Sequence, residues 1–329
     1  MPAAAIVVIG PGGQPYAVEG GMNEARFREN EERLWTSLGA APTEVWVEVA
    51  HTGTKVRLLV VGNGPPVLFL HGATNAASSW ATLAACLPDH RCYLLDRLGC
   101  GLSEPIGHRL DQAELAVLAD ALAVDIFDGL GLDRAALVGT SFGGYFALRA
   151  AAAHPARVAR VVELSWPFGC PIEKTPLAMR IAGIRTLGKV AASIPPSRVA
   201  VRALLRQIGL RGAIDSGRFD EIAIAWYQSL LRDTGTMRNE LDAAPRIVHP
   251  IRGIEKSTLL SDELLGRIGV PTAFVWGADD PQGGARTAEA FVARIPGATL
   301  EVMPDAGHAP WIDDPDHVAS VVGAFLAAE

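Results

Sequence analysis

The sequence predicts an α/β fold in which helices cover both faces of a mostly parallel, eight-stranded sheet, with a helical insertion in the second half of the chain. From about residue 44, short apolar runs alternate with helical patterns, which is typical of a parallel sheet with crossover helices. Residues 166–265 interrupt this alternation with helical periodicity and no convincing strand. With 49% hydrophobic and 20% charged residues, the 329-residue chain has the composition of a globular protein.

Eight apolar runs predict the strands. The first, at residues 44–50, alternates apolar and polar side chains as a half-exposed strand does, whereas the third, at 67–72, is almost wholly apolar and indicates a buried strand. The predicted strands are 44–50, 56–62, 67–72, 91–96, 134–139, 160–165, 272–277 and 299–305. Helical patterns lie at 23–38, 79–87, 111–130, 142–154 and 286–295.

These patterns divide the chain into three parts. An N-terminal arm and helix occupy residues 1–43, an α/β core occupies 44–165 and 266–329, and a helical cap occupies 166–265. Residues 10–21, rich in glycine and proline, predict a loose arm ahead of the first helix. The cap interval is too long for a crossover connection and too regular for a disordered loop, so we expect it to lie over the edge of the sheet.

The formal net charge is −7 and the pI is near 5.7. A chain without a basic field does not collect phosphates, so we expect a small-molecule substrate and no nucleic-acid partner. No apolar run approaches the roughly 20 residues of a membrane helix, so no membrane span is predicted. The sequence leaves open whether the chain forms a homodimer.

The chain has four cysteines, Cys86, Cys92, Cys100 and Cys170. Their spacing fits neither a metal site nor a disulfide framework, which predicts a reducing, cytoplasmic location with no metal and no cofactor. The apolar residues 3–9 have no basic residue before them and do not predict a signal peptide. The following GPGG lacks the lysine and the spacing of a phosphate-binding loop.

Residues 138–145, VGTSFGGY, place Ser141 in a G-x-S-x-G pattern between an apolar strand and a helical segment. In that setting the serine occupies a sharp turn that exposes its hydroxyl, while Gly139 and Gly143 let the strand and the helix pass closely. The helix N-terminus directs its amides and the positive end of its dipole at the same place. The pattern predicts that Ser141 is a nucleophile.

A serine nucleophile needs a general base, and the base needs an acid that orients it. His308 follows the last apolar run, where a loop returns to the same edge of the sheet, and is the predicted base. Asp279 and Asp280 follow the preceding strand and are both candidates for the acid. Glu163, on the strand after the serine, is an alternative.

The chain resembles the α/β-hydrolase fold proteins that carry a cap, over the stretch from about residue 44 to the C-terminus. Four features carry the resemblance in order: VLFLHGATNAASSW, LLDRLGCGLSEP, VGTSFGGY, and the paired WGADDP and DAGHAPWIDDPDHV. The order serine, aspartate, histidine along the chain is also that of the family. The family acid stands three residues after the glycine of G-x-x-D, which implies Asp280 rather than Asp279.

The resemblance further implies an oxyanion hole made by the backbone amides of Ala73 and Phe142. Fixed N–H donors at such a position stabilise the charge that develops on the carbonyl oxygen in the transition state. His71, which precedes Ala73 by two residues, is interpreted as a side chain that shapes this loop. Asp96, in the family's D-x-x-G-x-G-x-S turn, is likewise interpreted as structural.

Four aromatic residues of the predicted cap are candidates for the substrate pocket: Trp166, Phe168, Trp226 and Tyr227. Their spacing fits core packing as well as it fits a pocket.

The resemblance implies hydrolysis of a small, largely apolar ester through an acyl-enzyme. Haloalkane dehalogenases and epoxide hydrolases of this fold use aspartate in place of Ser141, which disfavours both. Cleavage of a carbon–carbon bond in a ring-fission diketone is an alternative, although ATNAASSW lacks the glycine-proline pattern of those enzymes. An amidase or peptidase, and a ligand-binding member of the fold without hydrolytic activity, stay open.

Overall fold

The computed structural model describes residues 8–9, 15–16, 22–172 and 175–328. The strands in these ranges are β1 (Val8–Ile9), β2 (Pro15–Tyr16), β3 (Thr43–Val49), β4 (Thr54–Val61), β5 (Pro66–Leu70), β6 (Arg91–Leu95), β7 (Ala135–Thr140), β8 (Val158–Pro167), β9 (Val248–His249), β10 (Gly253–Ile254), β11 (Thr272–Gly277) and β12 (Thr299–Met303). Apart from β2, the predicted arm at residues 10–21 lies outside the described residues.

The α-helices are α1 (Glu24–Ser37), α2 (Ala81–Ala85), α3 (Gln112–Leu130), α4 (Ser141–Ala153), α5 (Leu177–Ala182), α6 (Arg185–Ser193), α7 (Arg198–Gln207), α8 (Arg211–Asp215), α9 (Glu221–Asp233), α10 (Thr236–Ala243), α11 (Asp262–Gly266), α12 (Ala285–Val292), α13 (Pro310–Asp313) and α14 (Pro315–Ala327). Short 3₁₀ helices lie at Ala77–Trp80, Ala244–Arg246 and Lys256–Thr258. Within the described ranges, no helix is long and apolar enough to cross a bilayer.

Eight strands form one sheet in the order β12-β11-β8-β7-β5-β6-β4-β3. Within it β4 runs antiparallel to β3 and β6, and every other neighbouring pair is parallel. The predicted mostly parallel, eight-stranded α/β sheet is confirmed. The parallel strands all end at one edge, which is where parallel sheets of this kind bind ligands.

Alternating side chains of the central strands build two cores, one on each face of the sheet. On β5, Leu68 and Leu70 belong to the core beneath α3 and α4, whereas Val67 and Phe69 belong to the core beneath α1, α2 and α14. All four side chains are buried. This period of two, on a strand apolar at every position, is the pattern of a strand covered on both faces.

The chain between β8 and α11 forms the insertion, which carries α5 to α10 and the small β9–β10 pair. The sequence predicts helices but no strand in this interval, and strands of two residues are too short to leave a periodic pattern. Helix α10 rests on the turn that follows β6: Asn239 Nδ2 donates to the Leu98 carbonyl at 3.2 Å, and the Gly101 amide donates to Thr236 Oγ1 at 2.9 Å. The bounds drawn for the core and the cap stay a prediction.

Helix α1 packs against both the sheet and the insertion. Asn23 caps its first turn by accepting from the Arg26 amide at 3.0 Å. Trp35 Nε1 donates to Ser78 Oγ at 2.8 Å in the core, and Arg26 Nε donates to Asp233 Oδ2 of α9 at 2.7 Å. The helix therefore joins the insertion to the loop that follows β5.

Candidate active site

Ser141 lies where β7 ends and α4 begins. Its φ is +52°, in the left-handed region that costs a non-glycine residue about 1–3 kcal/mol and persists where the surroundings hold it. The Phe168 amide holds it by donating to the Ser141 carbonyl at 2.8 Å. At Gly143 a Cβ atom would lie 1.8 Å from the Leu70 carbonyl oxygen, so only glycine permits this approach of the helix to β5. The backbone has the geometry of a nucleophile elbow.

His308 and Asp280 meet at the same edge of the sheet. His308 Nδ1 lies 2.7 Å from Asp280 Oδ2, and the Asp280 side chain is fully buried. The Trp166 amide also donates to Oδ2, at 3.1 Å, and the Gln282 amide donates to Oδ1 at 2.9 Å. A carboxylate held by three donors fixes the imidazole, with Nδ1 donating and Nε2 left as the proton-accepting nitrogen.

The two alternative acids lie elsewhere. Asp279 is exposed. Glu163 is fully buried beneath the first turn of α4, where a Cβ atom on Gly144 would lie 1.9 Å from its Oε1. Neither oxygen of Glu163 has a hydrogen-bond partner within the described chain, and burial raises the pKa of this carboxyl well above its usual value. The structure brings Asp280, rather than either alternative, to His308.

The loop that carries His308 is held from the core and from the insertion. The Gly307 amide donates to Asp313 Oδ2 at 2.8 Å, and Ser165 Oγ donates to the Gly307 carbonyl at 3.2 Å. From the insertion, Gly209 lies so close that a Cβ atom on it would be 2.7 Å from the His308 amide nitrogen. The position of this loop therefore depends on the packing of the insertion.

The loop after β5 passes beside the serine. A Cβ atom on Gly72 would lie 3.4 Å from Ser141 Oγ. The Gly72 carbonyl accepts from His71 Nδ1 at 2.7 Å and from Arg97 Nη2 at 3.0 Å, and these two donors fix its direction. Because a trans peptide is planar, the Ala73 N–H points away from that carbonyl and from Arg97.

Arg97 is the residue in this region that sequence reasoning missed. It is buried, its Nε donates to the His71 carbonyl at 2.9 Å, and its guanidinium lies 4.8 Å from the centre of the Phe142 ring. Its Nη2 also donates to Glu240 Oε1 of α10 at 2.7 Å. The available signal was a charged residue directly after Asp96, at the end of an apolar strand.

His71 serves as a structural link in this network. Its Nε2 accepts from the Arg97 amide at 3.0 Å, so the proton lies on Nδ1, which donates to Gly72. Burial, reinforced by the charge of Arg97, lowers the pKa of His71 well below its usual value. The neutral ring supports the interpretation of His71 as a loop-shaping side chain.

A cavity of about 350 Å³ opens next to Phe142, between the core and α10. Phe146 and Leu115 line it from α4 and α3, while Asn239 and Glu240 line it from the insertion. Its wall mixes apolar side chains with charged ones, and the three predicted triad residues are not part of that wall.

The four predicted pocket aromatics are buried and do not line this cavity. Trp166 and Phe168 pack in the core below α4, and Trp226 packs in the core on the other face. The hydroxyl of Tyr227 lies 3.5 Å from Oγ1 of Thr74, in the loop after β5. Burial raises the pKa of Tyr227 to about 12. Their role as pocket residues stays a prediction.

The same fold occurs in known hydrolases. A structure of a carboxylesterase from Bacillus subtilis superposes with a TM-score of 0.72 at 20% identity, covering 94% of this chain and 99% of that one. Among curated sequences, the 2-hydroxy-6-oxo-6-phenylhexa-2,4-dienoate hydrolase of Burkholderia cepacia is 28% identical over 286 residues, which are 84% of this chain and 94% of that protein. An uncharacterized protein of Mycobacterium tuberculosis is 26% identical over 312 residues, covering 91% and 85%.

The family model described as "Alpha/beta hydrolase family" matches residues 67–321. This stretch contains the loop after β5, the elbow, the insertion, and the Asp280–His308 pair. The chain belongs to the alpha/beta hydrolase family.

Proposed function

We propose that this hydrolase cleaves small, largely apolar carboxylic esters through an acyl-enzyme formed on Ser141. The observation that carries the proposal is the combination of the left-handed Ser141 at a strand-to-helix turn with His308 held 2.7 Å from the buried Asp280. A serine so presented, with an oriented imidazole on the same sheet edge, fits acyl transfer.

The proposed reaction has two halves. Ser141 Oγ attacks the ester carbonyl carbon while its proton passes to His308 Nε2, and Asp280 stabilises the imidazolium. The carbon–oxygen bond then breaks, and the alcohol leaves with the proton from His308. Water, activated by the same imidazole, attacks the acyl-enzyme and releases the carboxylic acid and Ser141.

The proposed oxyanion hole is supported by the fixed peptide between Gly72 and Ala73. Since the Gly72 carbonyl is held by Arg97 and His71, the Ala73 N–H keeps its direction without needing to reorganise during the reaction. The second proposed donor, the Phe142 amide, lies in the first turn of α4, where the helix dipole is also favourable to negative charge. Preorganised donors of this kind contribute about 3 kcal/mol each in known cases.

The proposal of a small, largely apolar substrate comes from the resemblance to the family, since the cavity beside Phe142 is not lined by the three predicted triad residues. We also propose a cytoplasmic location, which the four free thiols fit.

Hydrolysis of a carbon–carbon bond is the second candidate. It is favoured by the Burkholderia cepacia relative, whose name gives a hydroxy-oxo-dienoate as its substrate and which this chain covers over 94% of its length. The same serine, histidine and aspartate would serve it, so the two reactions are separated only by assay.

The test uses p-nitrophenyl esters of increasing acyl length, a ring-fission diketone, and a fluorophosphonate probe. We expect rapid hydrolysis of short esters and labelling by the probe, both lost in Ser141→Ala. Ready labelling of the Ser141→Ala variant by the probe would refute the assignment of Ser141 as the nucleophile. Turnover of the diketone at a much higher kcat/KM than any ester would assign the second reaction, and tight ligand binding without labelling would favour a non-hydrolytic protein.

A further inference from the structure

The insertion presents large apolar side chains to solvent on its outer helices. Leu177 is 67% exposed, Val190 is 58% exposed and Ile194 is 64% exposed. Single exposed apolar residues are ordinary, but a group of them in one region marks an interaction site. We call the exposed side chains of Leu177, Ile181, Leu187, Val190, Ile194 and Ile251 the insertion face.

Helical spacing places these side chains together. Leu177 and Ile181 are four residues apart on α5, so they lie on one side of that helix. Leu187, Val190 and Ile194 follow the i, i+3, i+7 pattern along α6 and its C-terminal cap.

Neighbouring elements bring the members of the insertion face close to one another. Helix α5 packs against α6 and against β9. Arg180 Nη1 donates to the Ile251 carbonyl at 3.1 Å, which holds the exposed Ile251 beside α5. The side chains of the insertion face thus lie on elements that are adjacent in the structure.

The segment that carries most of the insertion face is basic, although the whole chain has a net charge of −7. Residues 174–214 contain eight lysines and arginines and no aspartate or glutamate. The arginines of α7 pair with acids of α8 and α9: Arg202 contacts Glu221, and Arg206 contacts Asp215. Within the described chain no carboxylate lies at ion-pair distance from Arg180 or Arg185, which are on α5 and α6.

We infer that the insertion face docks the protein on an anionic lipid surface. Apolar side chains combined with cations that form no ion pair within the described residues, on the same short helices, are the pattern of segments that lie in the headgroup region of a membrane. The cations contact lipid phosphates while the apolar side chains enter the boundary of the acyl chains. The contact is peripheral, and it is independent of the reaction proposed for Ser141.

Docking on lipid would bring the membrane close to the candidate active site. Helix α6 packs against α10, and α10 carries the Glu240 that contacts Arg97 beside the loop after β5. The insertion face is therefore one helix away from that loop.

The test measures flotation of the full-length protein with vesicles of phosphatidylcholine alone or mixed with phosphatidylglycerol. We expect binding to the mixed vesicles at least about 10-fold tighter than to phosphatidylcholine, decreasing as salt is raised. The variant Leu187→Gln/Val190→Gln/Ile194→Gln should lose about 10-fold or more of this binding. Val117→Gln, which changes a side chain 49% exposed on α3, is the matched control and should bind as the wild type does.

Arg185→Glu is a second variant, which leaves the apolar side chains in place. It should weaken binding to the vesicles that contain phosphatidylglycerol and leave binding to phosphatidylcholine vesicles unchanged. Absence of wild-type binding, or equal binding to both vesicle types that neither variant changes, would overturn the inference. Light scattering gives the remaining outcome: a dimer that the triple variant dissociates, without vesicle binding, would assign the insertion face to a second copy of the chain instead.

Discussion

Replacing Arg97 by methionine tests whether a buried arginine keeps the proposed oxyanion hole in place. Methionine retains most of the apolar stem of the side chain and removes the donors to the His71 and Gly72 carbonyls. The Gly72–Ala73 peptide then keeps only the His71 contact, so the Ala73 N–H is no longer fixed in direction.

The magnitude follows from what that peptide contributes. Loss of one oxyanion donor costs on the order of 3 kcal/mol, or about 100-fold in kcat, and loosening it costs up to that amount. We therefore expect Arg97→Met to lower kcat on a p-nitrophenyl ester by about 10- to 100-fold with KM little changed. An interaction made only in the transition state has this signature.

Stability must be separated from catalysis, because Arg97 is also the charge partner of Glu240. Removing one member of a fully buried ion pair lowers the free energy of unfolding by about 3–5 kcal/mol. The loss should be smaller in Arg97→Met, because the Glu240 carboxylate left without its partner keeps 12% exposure. The double variant Arg97→Met/Glu240→Gln removes the stranded charge. It should recover most of the unfolding free energy lost by the single variant while keeping the low kcat.

The matched control is Arg149→Met. Arg149 also lies over an aromatic ring of α4, Tyr145 at 5.5 Å, and pairs with an acid, Asp120. None of its hydrogen bonds within the described residues goes to the loop after β5. Its loss should leave kcat within about twofold. The reasoning is refuted if the folded Arg97 double variant keeps wild-type kcat while Ser141→Ala is inactive, since the serine would then work without the arginine.

Three further outcomes can be checked directly. Asp280→Asn should lower kcat by about four orders of magnitude, as the corresponding change does in a serine protease, whereas Asp279→Asn should leave it within twofold; equal losses would contradict the assignment of the acid. Gly144→Ala should destabilise the protein by about 1–3 kcal/mol in urea unfolding, because its Cβ meets Glu163 Oε1, and Glu163→Ala should recover part of that loss; strict additivity would argue against the contact. Glu163→Gln should gain stability relative to the wild type from pH 5 to pH 8. The raised pKa of the buried carboxyl makes the folded wild type lose stability as pH rises above about 4.3, the usual value in an unfolded chain, so a constant difference would contradict the protonated state.

The core of the fold was predictable because each of its signals is local. A strand such as β11 is an apolar run of six residues, and the predicted and observed bounds agree at 272–277. The approach of Asp280 to His308 was also predictable, since parallel strands end at one edge of the sheet. The G-x-x-D spacing of the family indicated Asp280 rather than Asp279. Their catalytic roles stay predictions that the variants above test.

The packing of the insertion was not predictable, because its contacts join residues far apart in the chain. Arg97 and Glu240 are separated by 143 positions, and nothing in either local pattern indicates the partner. From the sequence, Glu163 is an alternative acid because it lies on the strand that follows the elbow. Only the structure shows that the first turn of α4 seals it from solvent.

The N-terminal helix α1 takes part in a buried network of charged side chains. The members of this network are far apart in the sequence, so no local sequence pattern predicts it. Arg57 on β4 contacts Glu31 of α1 and donates to Asp96 Oδ2 at 3.1 Å, and all three side chains are buried. Asp96 Oδ1 in turn accepts from the Ala77 amide at 2.7 Å, and Ser78 Oγ donates to Glu31 at 2.7 Å. The loop after β5 is therefore held by two contacts, one with Asp96 and one with Glu31 of α1.

Because α1 also pairs with α9 through Arg26 and Asp233, the same helix connects the insertion to the loop that carries Ala73. A stranded charge in this network would cost more than a lost surface pair, since Asp233 and Asp96 have fully buried side chains. The N-terminal helix thus helps to hold the loop after β5 in place, although it lies outside the stretch that the family model matches.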